Sequence, residues 1–328
     1  RMVKKRFAAG FDVGGTKCAV ILGELTEQDG IEILARKRFA TADFRAPEAC
    51  LAEMCRLLET ILTETGTAKN DIIGIGISCG GPLDSGRGVV QSPPNLPGWD
   101  DVPAVAIVEH ATGLRAKLEN DANACALAEW RFGAGRGTSD MVFLTFGTGL
   151  GAGIIANGRL LGGRSGMGGE CGHIRLAPSG PVGYGKAGSF EGFCSGGGIA
   201  QLGRFRAEAA LKAGRPLPWC PTEADLPSVS AKTIGDAADR GDSDALAVYE
   251  ESGRRLGEGL SILIDILNPE CIVIGSIFAR SEHLLRPSME GVIAAEALPQ
   301  SASVCRVVPA QLGEAIGDIA SLAIAAEM

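Results

Sequence analysis

The sequence predicts a duplicated α/β fold with a cleft between its halves, and three observations carry that expectation. FDVGGTKCAVI (Phe11 to Ile21) and LTFGTGLGAGI (Leu144 to Ile154) superpose without a gap, each an apolar strand, a glycine turn and a second strand. Each copy opens its own half of the chain, and strand-like runs alternate with helical patterns in both. The 328 residues, 45% hydrophobic and 21% charged, suffice for two domains or one large one. Chance similarity between two glycine-rich hairpins is the alternative to duplication.

From Phe7 to Gly23 short apolar runs flank a glycine pair, which reads as a hairpin. Apolar residues three and four apart predict a helix from about Pro47 to Thr65. The run IIGIGIS (Ile72 to Ser78) reads as a buried strand, followed by a Pro- and Gly-rich loop to about Trp99. LENDANACALAEWRFG places Asp121 at or near a helix N-terminus. MVFLTFG and GAGIIANG form the second hairpin, and helical patterns cover roughly Gly192 to Ala213 and Asp242 to Leu267. The strand CIVIG (Cys271 to Gly275) and an Ala-rich helix close the chain.

Composition narrows the function classes. With 39 acidic against 31 basic residues the net charge is -8, and the one basic cluster is Lys4, Lys5 and Arg6, so nucleic acid is not an expected partner. No apolar run approaches the roughly 18 residues of a membrane span, and the start lacks a signal peptide's apolar core. The ten cysteines form no CxxC pair and mostly sit in apolar runs, as expected of reduced thiols in a cytoplasmic protein.

Three constellations carry chemistry. In DVGGTK, Gly14 and Gly15 let backbone N–H groups face an anion, Thr16 adds a hydroxyl and Lys17 a charge, while Asp12 is placed to hold Mg²⁺ through water. A plain hairpin turn reads the same, but TFGTGLG repeats the device, and two such loops across a cleft suit a polyphosphate. Neither matches GxxxxGK[ST]. In ENDANA, Asp121 is either an N-cap or, beside Asn120 and Asn123, a carboxylate able to take a hydroxyl proton. In GGECGH and beyond, Glu170, His173 and Glu191 lie on glycine-flanked segments where side chains can converge on a polyol; solvated surface glutamates are the alternative.

Taken together, DVGGTK, SCGGPLDSGRG with SPPNLPGW, LENDANACALAEW, FGTGLGAGIIANGRLLGG, GGECGH and LNPECIVIGS resemble the ROK family of repressors and sugar kinases. They occur in the family's order, from about Phe7 to Ala325. The resemblance implies the actin-like, Hsp70-like ATPase fold, with residues 1–121 plus 311–328 in one lobe and 122–310 in the other. It implies ATP and Mg²⁺ as cofactors, a hexose as partner and a homodimer. By it Asp121 is the catalytic base and Asn120 bonds the sugar, with Gly81, Asn95, Glu170, His173 and Glu191 lining the hexose pocket. Asp12 lies near Mg²⁺, Gly14, Gly15, Thr16, Thr148 and Gly149 hold the phosphates, and Gly275 and Ser276 lie by the nucleotide, where the family usually has two glycines.

The stretch from Gly172 to Phe193 departs from the pattern. The family's CGCGGRGCLE, whose three cysteines join the preceding histidine on a structural zinc, reads VGYGKAGSFE here, so Val182, Tyr184 and Ser189 stand at the cysteine positions. Neutral hydroxyls are poor zinc ligands, so no structural zinc is expected. Something else must then orient His173, and packing of Val182, Phe190 and Phe193 with a hydrogen bond from Tyr184 is the expected substitute.

The leading expectation is therefore an ATP-dependent hexose kinase, with glucose the first acceptor and fructose, mannose, allose and N-acetylmannosamine as alternatives. Family members that regulate transcription carry a DNA-binding domain ahead of the first phosphate loop, whereas eleven residues precede Asp12 here. A noncatalytic sugar-binding protein would not need Asp12, both glycine loops and Asp121.

Overall fold

A computed structural model describes residues 5–26 and 30–328; Lys4 of the basic cluster lies outside them. The first half begins with β1 (Arg6–Val13), β2 (Lys17–Leu25) and β3 (Ile31–Ala40), then α1 (Pro47–Thr65) and β4 (Ile72–Cys79). Two short strands, β5 (Leu83–Asp84) and β6 (Val89–Val90), precede α2 (Ala104–Thr112), β7 (Ala116–Asn120) and α3 (Asp121–Phe132). The second half opens with β8 (Met141–Leu144), β9 (Ala152–Ala156) and β10 (Arg159–Leu160). A small hairpin, β11 (Val182–Gly183) and β12 (Lys186–Ala187), leads to α4 (Phe190–Phe193), α5 (Gly196–Lys212), α6 (Ala231–Asp239) and α7 (Ser243–Leu267). The chain finishes with β13 (Cys271–Ile274), α8 (Ile277–Glu296), α9 (Pro299–Val304), β14 (Arg306–Pro309) and α10 (Ile316–Ala326).

The two main sheets repeat one topology. Their orders are β3-β2-β1-β4-β7 and β10-β9-β8-β13-β14, and in each the first three strands pair antiparallel and the last two join in parallel. The two glycine hairpins occupy equivalent places, as their sequence similarity predicts. One face of the first sheet packs on α1 and α2 around Met54, Leu58, Ile77 and Trp99. One face of the second packs on α5, α7 and α8 around Phe190, Leu260 and Phe278.

The other faces are covered by exchange. Helix α3, which follows the last strand of the first sheet, lies mainly on β8 and β9, whereas α10, which follows the last strand of the second, lies on β1 and β4. The two helices also pack on each other, sharing a core of Ala124, Leu127, Phe143, Ile319 and Ala323. Small residues permit this: a Cβ on Gly76 would lie 2.8 Å from Ala325 N, and one on Gly153 would lie 2.8 Å from Ala122 O. The α10 sequence IGDIASLAIAA is apolar nearly all round because both its sides are covered.

Some elements differ from the sequence expectation. The helix expected over Gly192 to Ala213 is two, because Ser195 Oγ accepts from Gly198 N at 3.0 Å and restarts the chain as α5. Strand β3 and helices α2, α6 and α8 were not anticipated; α8 carries Pro287 and a kink at Ser281 that break its periodicity. All ten cysteines are free and eight are buried. Among the described residues no helix is long and apolar enough to cross a membrane.

Gly76→Ala should cost about 1–3 kcal/mol, since the new methyl meets helix backbone that cannot move aside. Urea denaturation checks this; an unchanged midpoint would mean that α10 can retreat from the sheet.

Candidate active site

The first glycine turn is braced from beneath. Thr41 Oγ1 donates to Gly14 O at 2.6 Å and Thr41 N donates to Thr16 O at 3.0 Å, fixing the turn between β1 and β2. Thr16 and Lys17 are exposed at its tip, and Gly15 packs on Asn95, where a Cβ would come 2.6 Å from Asn95 O. Gly15 and Asn95 share a cavity of about 250 Å³ with Arg45 and Trp99. Gly81, joined to Pro82 by a cis peptide, follows Gly80, which also packs on Asn95.

The second turn is braced by its own threonine. Thr145 Oγ1 accepts from Gly151 N at 2.7 Å, and Gly147 N donates to Gly149 O at 3.1 Å. Two helix N-termini abut it: Gly196 N of α5 donates to Gly147 O at 2.7 Å, and Ile277 N of α8 donates to Phe146 O at 2.9 Å. Their positive ends favour an anion there. Gly275 is buried, while exposed Ser276 faces Gly147 with φ 52 and ψ -114, a backbone region that glycine fills without strain. Ser276 thus keeps the glycine conformation without the glycine.

Asn120, not Asp121, caps α3: its Oδ1 accepts from Asn123 N at 2.8 Å. Behind it Glu119 is buried and accepts from Asn123 Nδ2 and Ser85 Oγ, both at 3.1 Å. Asp121, at the first helical position, turns into a cavity of about 580 Å³ shared with Thr148, Gly149, Glu170, His173 and Glu191. Thr148, Gly149, Glu170, His173 and Glu191 therefore converge with Asp121, while Gly81, Asn95, Asn120, Gly275 and Ser276 do not line this cavity. Burial raises the Asp121 carboxyl above its ordinary range, opposed by a bond from its own backbone N–H.

Asp12 sits at the end of β1, paired with Ser78 on the parallel strand β4. Burial first, then the charges of Asp318 and Asp121, lift its carboxyl to about 6 against the pull of Arg38 and Lys17. Asp318, in the first turn of α10, is buried and paired with Arg36 and, at 3.5 Å, with Arg38. Sequence reading missed Asp318 because nothing local marks it; only the exchanged position of α10 brings it to Asp12. It missed Thr41 for the same reason.

Glu191 joins the two parts of the large cavity. Its Oε2 accepts from Leu150 N at 3.0 Å, and a Cβ on Gly149 would lie 2.8 Å from the same oxygen. Ser189 is fully buried and caps α4, its Oγ accepting from Gly192 N at 3.0 Å. The loop before it is held by side chains bonding backbone. Lys186 Nζ donates to His173 O at 2.7 Å, Arg175 Nη1 donates to Ala187 O at 2.7 Å, and Gln201 makes two 2.9 Å bonds with the Val182 backbone. Of the residues expected to substitute for the zinc, Phe190 and Phe193 are buried in the core. Val182 is exposed, and Tyr184 meets His173 edge-on, ring centres 6.5 Å apart, because the turn directs it outward.

The ROK family model matches residues 8–327. A glucokinase of Thermotoga maritima is 34% identical, over 97% of this chain and 96% of its own. A ROK family glucokinase from Streptomyces griseus, solved with glucose and AMPPNP, superposes with a TM-score of 0.71 at 29% identity, covering 98% of this chain and 100% of its own. A ROK family transcriptional regulator, homologous to the E. coli MLC protein, superposes at 0.80 and 29% identity, and there the match covers 98% of this chain and 78% of its own.

Ser276→Gly should raise stability by about 1–2 kcal/mol by releasing backbone strain. That corresponds to a thermal midpoint a few degrees higher; a lower midpoint would show that the serine hydroxyl contributes more than its backbone costs.

Proposed function

The chain belongs to the ROK family and is an ATP-dependent sugar kinase, and from that premise we propose that it transfers the γ-phosphoryl of ATP to a hexose hydroxyl, glucose being the first acceptor. The observation that carries this reading is Asp121: relieved of capping by Asn120, it faces a cavity shared with the second glycine hairpin and with Glu170, His173 and Glu191. A phosphotransferase needs that arrangement, a carboxylate facing the acceptor hydroxyl beside backbone donors for the phosphates.

Asp121 takes the proton of the attacking hydroxyl, and its raised pKa brings it closer to the hydroxyl it must deprotonate. His173, Glu170 and Glu191 hold the remaining hydroxyls, and Asn120 and Asn95 approach from the first lobe with Gly81. The backbone of Gly14, Gly15, Thr16, Thr148 and Gly149 receives the phosphates, with Lys17 at the first turn and Gly275 and Ser276 beside the second. Closure of the lobes, divided as 1–121 with 311–328 and 122–310, joins the two cavities and excludes water.

The half-buried carboxylate of Asp12, crowded by Asp121 and Asp318, fits a hard cation held through water. Mg²⁺ held there by Asp12 would neutralise phosphate charge. A homodimer is the proposed assembly. The likeness to a regulator supports a sugar-sensing alternative, and ADP release that depends on added sugar, measured over a panel of hexoses, separates the two.

Asp121→Asn should lower kcat about 10²–10⁴-fold while calorimetry shows sugar affinity within a few fold of wild type. Turnover retained above a tenth of wild type would remove Asp121 from the role of base.

A further inference from the structure

The turn joining β11 to β12 contains Tyr184 and Gly185, both with positive φ, 44 and 73. Two-residue hairpins of that form favour Asn-Gly or Asp-Gly, since a bulky side chain in the left-handed region crowds its own backbone. Tyrosine is thus a poor choice for the turn. It is equally idle in the core: at 82% exposure it is the most exposed of the described large hydrophobic side chains.

Its surroundings supply another use. Tyr184 lines the large cavity with His173 and Glu170, and its ring stands at 80° to the His173 ring. The turn is fixed by the Lys186 bond to His173 O and the Gln201 bonds to Val182, so the ring is presented on a rigid support. An aromatic body with a polar tip suits a pyranose, which offers C–H edges between its hydroxyls.

We propose that Tyr184 is a sugar-binding residue, its ring covering the C–H edge next to the hydroxyl held by His173. The inference rests on the kinase reading above and deepens it. The sugar class is a pyranose whose C–H edge is unhindered at the end remote from the hydroxyl facing Asp121. Asp121 and Tyr184 then bracket the substrate, one at the reacting end and one at the far end.

Tyr184→Asn separates contact from fold, because asparagine suits the turn better than tyrosine. The expected result is a KM for the hexose raised about 5–20-fold, with kcat within two-fold, KM for ATP unchanged and a thermal midpoint equal or higher. Tyr184→Phe should keep KM within about three-fold, since the ring face does most of the covering. A hexose KM in Tyr184→Asn within two-fold of wild type would overturn the inference while leaving the kinase reading intact. A wild-type protein that neither binds nor phosphorylates any hexose of the panel would instead overturn both. A lowered midpoint in Tyr184→Asn would also count against it, as the turn would then need the tyrosine.

Discussion

The exchange of α3 and α10 between the two sheets is the constraint on which the rest of the molecule depends. Each helix leaves one sheet and packs on the other, and the glycines at 76 and 153 let helix backbone lie against strand. The waist so formed brings together groups from three elements: Asp12 at the end of β1, Asp121 at the start of α3 and Asp318 in the first turn of α10. Asp318 is paired with Arg36 and Arg38, whereas desolvation at the waist raises the carboxyls of Asp12 and Asp121.

From the waist the site is built outward along the second hairpin. Thr145 closes the turn, the N-termini of α5 and α8 direct positive ends at it, and Glu191 ties it to the loop that carries His173. One carboxylate therefore touches the second glycine hairpin and the large cavity at once. That loop is tied by side chains: Ser189 serves as an N-cap, and Gln201, Lys186 and Arg175 bond its backbone.

Much of this was legible in the sequence because it is local. The two glycine hairpins, α1, β4 and α7 follow from apolar periodicity and turn chemistry, and the repeat announced two equivalent sheets. The cluster around Asp121 was legible as a polar excess at a helix start, although sequence left open whether Asp121 was a cap or a carboxylate able to take a proton. What escaped is long-range. No pattern within IGDIASLAIAA tells which sheet it covers, so Asp318 could not be placed beside Asp12, nor Thr41 beneath Gly14. Tyr184 was legible as a residue at a family cysteine position and as an expected hydrogen-bond donor, and its position at the cavity edge needed the hairpin geometry.

The crowding of carboxylates at the waist is tested most directly by titrating Asp12 itself, through its carboxyl carbon resonance in the protein free of nucleotide and cation. Burial beside Asp121 and Asp318 predicts a midpoint near 6, against 3.8 for an unperturbed aspartate, and a downward shift when Asp121 is replaced by Asn. Because the folded-state value is raised, Asp12 favours folding at pH below 3.8, and that contribution is lost as pH rises to 6. A midpoint at 4, indifferent to Asp121, would contradict the close assembly of the waist.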